Sequence, residues 1–185
     1  MAKAITENTL FYGDNLDILR DYFIDECVDL IYLDPPFNSS RNYNVLFKDE
    51  QGLDSEAQII AFEDTWHWNE ETSHVYYYLI NHGPDKVACI MEMLYKSIGT
   101  NQMMAYLVMM TVRLVELHRV LKPTGCIYLH CDPTASHYLK VVMDAIFGIE
   151  NYENEISWKR TTTKNDYKQG AINWPRVRDI ICHLT

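Results

Sequence analysis

The seven glycines of this chain include no pair two residues apart, so a glycine-rich GxG turn is missing. The five cysteines (Cys27, Cys89, Cys126, Cys131 and Cys182) are odd in number and form no CxxC pair, and they suggest neither a disulfide framework nor a zinc site. No stretch is long and apolar enough to cross a bilayer. The N-terminus MAKAITENTLFYG lacks the basic, apolar and small-residue order of a signal peptide. These absences lead us to expect a cytoplasmic, reduced protein with no membrane partner. An excess of positive charge is missing too. Lys and Arg number 16 against 26 Asp and Glu, a formal net charge of -10, which argues against a simple nucleic-acid glue.

What is present is globular. The 185 residues, 48% hydrophobic and 23% charged, suffice for one domain with a sizeable core. The charge is uneven. From Ile156 onward Lys159, Arg160, Lys164, Lys168, Arg176 and Arg178 face only Asp166 and Asp179, so a basic tail follows an acidic body. Such a tail reads equally as a solvated surface or as a phosphate-binding stripe, with Lys159, Arg160 and Lys164 as the candidate nucleic-acid contacts.

Along the chain, TLFYGDN is a β-rich run stopped by Gly13-Asp14, expected to be a short strand ending in a turn. NLDILRDYF predicts a helix with Leu16, Leu19 and Phe23 on one face and Asn15 as its N-cap. VDLIYL is a continuous apolar run, expected to be a strand covered on both faces. Residues 38–100 are too long for a plain connection and are rich in aromatics, so we expect a helical or loop insertion over one edge of the sheet. Met103, Leu107, Met110, Leu114, Leu117 and Leu121 recur at steps of three and four, one helical stripe that stops at LKPTG. CIYLH is a buried strand. DPTASHYLKVVMDAIFG predicts a helix capped by Asp132, with Pro133 in its first position and Gly148 past its end. NEISWK and RDIICHL are two further strands. The alternation indicates an open α/β sheet.

The stretch LIYLDPPFN ends a buried strand with a charge and then stiffens the backbone with two prolines. Ligands of open α/β sheets sit at the carboxyl ends of the strands, and Asp34 lies there. It reads either as a turn residue or as an aimed acceptor. No helical pattern starts at Pro35, and two prolines fix an extended backbone. The Asp34 carboxylate, the Pro35 carbonyl and the flat face of Phe37 together suit a planar group bearing an amine, such as the exocyclic amine of a nucleobase. His130, Cys131, Asp132 and His137 suggest a metal site only on spacing. A strand alternates faces, so His130 and Cys131 point apart, and Asp132 is taken as a cap; no metal is expected. Trp66, Trp68 and Tyr76–Tyr78 read as core of the insertion or as base-stacking surfaces.

DPPF after a hydrophobic strand resembles the Asp/Asn/Ser-Pro-Pro-Tyr/Phe motif of amino-group DNA methyltransferases. FYGDNLDILRD, AFEDTWHW, the long run from MMAYLVMM to DAIFG, and NEISWKR extend the likeness to the permuted, beta-type members, many of them site-specific adenine methyltransferases. The resemblance implies a Rossmann-like class I methyltransferase sheet of strand order 3-2-1-4-5-7-6. LFYGD would be strand 3, VDLIYL strand 4 and GCIYLH strand 5. NEISWK and RDIICHL would fill the last two places, the final one antiparallel. Asp34 and the Pro35 carbonyl would hold the target amine, Pro36 would set the turn, and Phe37 would stack on the flipped base in double-stranded DNA. Asp14 would meet the adenine of S-adenosylmethionine, with Asn15 and Asp34 also at the cofactor.

The glycine loop that holds the methionine end of that cofactor in the family is the GxG missing here, and strands 1 and 2 have no counterpart. We therefore expect a single partial catalytic domain, residues 1–185, completed by a C-terminal half or a second chain. Relatives usually carry His-Asp where this chain has Arg178-Asp179. The expected reaction is methyl transfer to adenine N6, since aspartate at the first motif position favours adenine. The alternatives are a cytosine-N4 enzyme, or an inactive remnant or split subunit that binds DNA or a partner.

Overall fold

The computed structural model describes residue 5 and residues 7–36, 66–160 and 177–185. Phe37 and Lys164, and residues 38–65 of the expected insertion, lie outside them.

The described elements alternate. Helix α1 (Asn15–Tyr22) precedes strand β1 (Val28–Leu33); helices α2 (Glu70–His82), α3 (Asp85–Ile98) and α4 (Gln102–Val120) lead to strand β2 (Leu121–Cys131). Helix α5 (Pro133–Phe147) and a single 3-10 turn then lead to strands β3 (Tyr152–Lys159) and β4 (Arg178–Leu184). Side-chain caps start four of the helices. Asp14, Asn69, Asn101 and Asp132 each accept from a backbone N–H in the first turn of α1, α2, α4 and α5. Pro133 opens α5 and Gly148, at φ 96°, ends it, as the sequence predicts.

The four strands form one sheet in the order β1-β2-β4-β3. β1 and β2 are parallel, in register at Leu33↔Leu129; β4 is antiparallel to both β2 and β3. This is the spatial order implied for VDLIYL, GCIYLH, RDIICHL and NEISWK, with the antiparallel strand inside the pair. β1 and β2 approach closely at Gly125, where a Cβ would stand 3.0 Å from the Asp29 carbonyl oxygen.

One face of the sheet carries the core. Ile31, Ile127, Leu129, Cys131, Ile180, Cys182 and Leu184 pack in one cluster with α4 and α5. The stripe predicted for α4 is only part of its buried surface. Met104, Ala105, Tyr106, Val108 and Val112 are buried as well, because α2 and α3 pack against the helical layer from outside. The stripe also ends one step early, since Leu121 opens β2.

Three further expectations are corrected. TLFYGDN forms no strand: Leu10 and Tyr12 are 96% and 84% exposed, and Phe11 packs on Tyr22 and Phe23 instead. A strand without a neighbour to pair with is not stable, and among the described residues the outer edge of β1 carries none. β1 is not covered on both faces, for Leu30 and Tyr32 are 57% and 55% exposed on the face opposite the core. Asn15 is not the cap of α1. Asp14 holds the extended backbone of a cap and accepts from Leu16 N–H at 2.7 Å, and Asn15 is the first helical residue.

Candidate active site

The parallel pairing of β1 and β2 brings their carboxyl ends side by side, and α1 begins near the same edge. A cavity of about 500 Å³ opens there, a size usual for small-molecule sites. Its wall draws on separate parts of the chain: Gly13, Asp14 and Asn15; Tyr32 to Pro36; Trp66; and Met109, Met110, Arg113 and Leu117 of α4. The two candidate groups of the sequence, Asp14-Asn15 and Asp34-Pro35-Pro36, therefore line one cavity.

Arg113 organises the first group. Its Nη2 donates to both oxygens of Asp14, at 2.9 and 2.6 Å, and its Nε donates to Asn15 Oδ1 at 2.8 Å. The Asp14 carboxylate thus caps α1, meets a guanidinium in a charge-assisted pair, and still faces the cavity. At the other end Asp34 Oδ1 lies 2.9 Å from His130 Nδ1. His130 Nε2 lies 3.5 Å from Asp179 Oδ2, and Arg160 Nη1 lies 3.3 Å from Asp179 Oδ1. Asp179 is buried although charged, which requires such partners.

Lys159 and Arg160 end β3, which runs parallel to β2, so they sit at the same edge of the sheet as Asp34. Arg160 is partly engaged by Asp179. Arg178 donates to Ser157 Oγ at 2.8 Å across β3 and β4.

His130 and Cys131 do point apart. Cys131 is buried in the core, where a hydrogen bond with the Cys182 thiol, and burial, push its own thiol far above the ordinary value. A thiol so held is not a nucleophile. No cluster of metal-ligating side chains forms among the described residues. The aromatics divide. Trp68, Tyr76 and Tyr95 pack together, the Tyr76 and Tyr95 rings stacked at 4.8 Å, while Trp66 lines the cavity.

The sequence reading weighed His130 only as a metal ligand and gave Asp179 and Arg113 no role at the site. Two signals were available. Aligning the ends of LIYLD and IYLH puts His130 beside Asp34, and Arg113 is the lone cation within the apolar run MMAYLVMMTVRLV.

The family model for a DNA methylase matches residues 28–178. The chain belongs to the DNA methylase family. It is 30% identical over 158 residues to the Type III restriction-modification enzyme StyLTI Mod subunit of Salmonella typhimurium, an alignment covering 84% of this chain and 21% of that subunit. It is 26% identical over 162 residues to the EcoP15I Mod subunit of Escherichia coli, covering 86% of this chain and 22% of the relative. Against the Type II methyltransferase M.EcaI of Enterobacter cloacae it is 25% identical over 173 residues, covering 93% and 28%. This DNA methylase chain therefore spans between about a fifth and somewhat over a quarter of the length of these relatives. No helix among its described residues is long and apolar enough to cross a membrane.

Proposed function

We propose that the chain is the motif-bearing part of an S-adenosylmethionine-dependent DNA methyltransferase that acts on the exocyclic N6 of adenine. One observation carries this reading: Asp14-Asn15 and Asp34-Pro35-Pro36, distant in sequence, line one cavity at the carboxyl ends of parallel strands. The family match supports the chemistry, and the aspartate at the first motif position supports adenine over cytosine.

The cavity suits the adenosine half of the cofactor. Trp66, Met109, Met110 and Leu117 give apolar walls for a flat ring, and Asp14 and Asn15 give polar groups at one end. When bound, that cofactor supplies a methyl group on a sulfonium. The chain's own contribution is placement. Asp34 and the Pro35 carbonyl accept the two N–H bonds of the target amine, which leaves the nitrogen lone pair free to face the methyl carbon. Pro35 and Pro36 stiffen the backbone that carries the two acceptors. Phe37 stacks on the base once it has left the helix. Holding reactants in line is worth several kcal/mol, about 7–11 in favourable cases, so positioning suffices as the main catalytic device. Lys159 and Arg160, at the same edge of the sheet as Asp34, supply phosphate contacts, and Lys164 is assigned the same role from the sequence alone.

The working enzyme is larger than this segment, with residues 38–100 as an insertion in its catalytic domain and the missing strands and glycine loop carried elsewhere. Digesting DNA exposed to the whole protein and labelled cofactor, and separating the nucleosides, tests the reading. N6-methyladenine is expected. N4-methylcytosine would reassign the substrate, and unlabelled nucleosides would leave a DNA-binding remnant.

A further inference from the structure

His130 does not line the cavity; it stands behind Asp34, and its position follows from the sheet. Leu33 and Leu129 are in register on parallel strands, so the next residues, Asp34 and His130, emerge side by side on the same face. An ionised carboxylate only accepts hydrogen bonds, so the 2.9 Å contact is a donation from His130 Nδ1–H to Asp34 Oδ1. The second ring nitrogen is directed at the buried carboxylate of Asp179, itself met by Arg160. A ring that donates from Nδ1 can also donate to Asp179 only with both nitrogens protonated, so the imidazole is held by a hydrogen bond on the Asp34 side and by a longer, 3.5 Å contact on the Asp179 side.

Asp34 has more need of such a grip than most strand residues. Its side chain is 63% exposed at a strand end, and the terminal torsion of an aspartate is broad. Among the described residues no other hydrogen bond to its carboxylate is formed.

We infer that His130 is a positioning residue for methyl transfer: it pins one oxygen of Asp34 so that the other is presented to the target amine, while Asp179 fixes the imidazole in turn. The inference rests on the proposed function for its consequence, but not for the pairing itself. It also gives Asp179 a reason to be buried and charged beside the apolar run Ile180–Cys182 of β4. Arg160 then supports the site as well as flanking it.

The test uses two substitutions in the whole protein. His130→Phe keeps the ring volume and loses the donor. His130→Asn keeps an N–H near the Nδ1 position. His130→Phe is expected to slow single-turnover methyl transfer about a hundred-fold, the usual cost of a misplaced reacting group, while affinities for cofactor and DNA hold. His130→Asn should recover most of that loss, and Asp179→Asn should slow transfer about tenfold, as the removal of outer partners does elsewhere. A second readout needs no activity. In the ring-nitrogen NMR spectrum of the whole protein, Asp34→Ala should move the His130 Nδ1 resonance and leave the exposed His74 unmoved. A wild-type rate in His130→Phe would overturn the inference. So would equal slowing by Phe and Asn with a lowered melting temperature, or an Nδ1 resonance indifferent to Asp34. A wild-type protein that methylates no DNA would instead sink the proposed function, and the NMR arm would still decide the pairing.

Discussion

Arg113 Nη2 stands 2.6 Å from Asp14 Oδ2 and joins the middle of α4 to the cap of α1. The arginine side chain is only 12% exposed, and the same guanidinium also reaches Asn15 and the Met109 carbonyl. α1 is also held by Leu19 and a few half-buried apolar residues, by the Arg20–Glu116 pair at 3.3 Å and by Arg119 Nη2, which donates to the Leu19 carbonyl at 2.9 Å, but Arg113 is the cation that meets its N-terminal, cavity-facing end. Arg113→Met should cost about 1–2 kcal/mol, the usual worth of hydrogen bonds to charged groups, reduced because Asp14 is half exposed. Urea unfolding of the whole protein checks it. An unchanged midpoint would mean that the pair does nothing for stability.

Asp34→Ala separates chemistry from fold. The carboxylate is mostly exposed and its partner His130 keeps Asp179. Stability should therefore change by about 0.5 kcal/mol or less, as for ordinary surface positions, while methyl transfer by the whole protein falls below detection. Thermal unfolding and nucleoside analysis, run on the same preparations, measure both. Near-normal transfer would remove Asp34 from the mechanism.

Phe37 follows the rigid turn but lies outside the described residues, so its role rests on sequence. Phe37→Tyr should be tolerated. Phe37→Ala should weaken binding of DNA with a flipped target base by about 1–3 kcal/mol, the worth of one aromatic stack. DNA with an abasic target position is the control. Equal weakening on both DNAs would show that Phe37 does not stack on the base.

What the sequence disclosed, and what it hid, follows from the range of each signal. DPTASHYLKVVMDAIFG announced α5 with both ends because cap, N1 proline and terminal glycine act within a few residues. Four strands were legible, since VDLIYL, CIYLH, NEISWK and RDIICHL are apolar or alternating and short; their order came only with the family resemblance. TLFYGDN misled, because a strand needs a partner and β propensity records only the wish for one. The cap of α1 slipped by one residue, since Asp14 and Asn15 are both good caps and only the backbone chooses between them. Asp34 stood out by its prolines. His130 carried no such mark; its meaning lies in the register of a neighbouring strand far along the chain. Asp179 and Arg113 likewise gain theirs from tertiary contact.

The final prediction concerns the exposed side of the sheet. Among the described residues β1 is an edge strand, and its Leu30 and Tyr32, beside Tyr128 on β2, face away from the helices. An unpaired apolar edge invites association with other chains. The chain also covers only 21–28% of the relatives named above, and it holds no glycine loop for the methionine end of the cofactor. Residues 1–185 alone should therefore be poorly soluble and should bind S-adenosylmethionine negligibly, because the contacts proposed for Asp14, Asn15 and the apolar wall reach only the adenosine half. The remaining part of the protein, supplied in trans, should improve both properties by pairing with the free edge of β1 and covering Leu30 and Tyr32. Isothermal titration with the cofactor, with and without that part, measures the binding; light scattering follows the association. Leu30→Lys and Tyr32→Lys should raise the solubility of the lone chain and weaken its complementation, which ties both effects to this face. A soluble monomer that binds the cofactor at micromolar affinity by itself would show that the whole cofactor site lies within these residues and that the open edge of β1 has no partner to find.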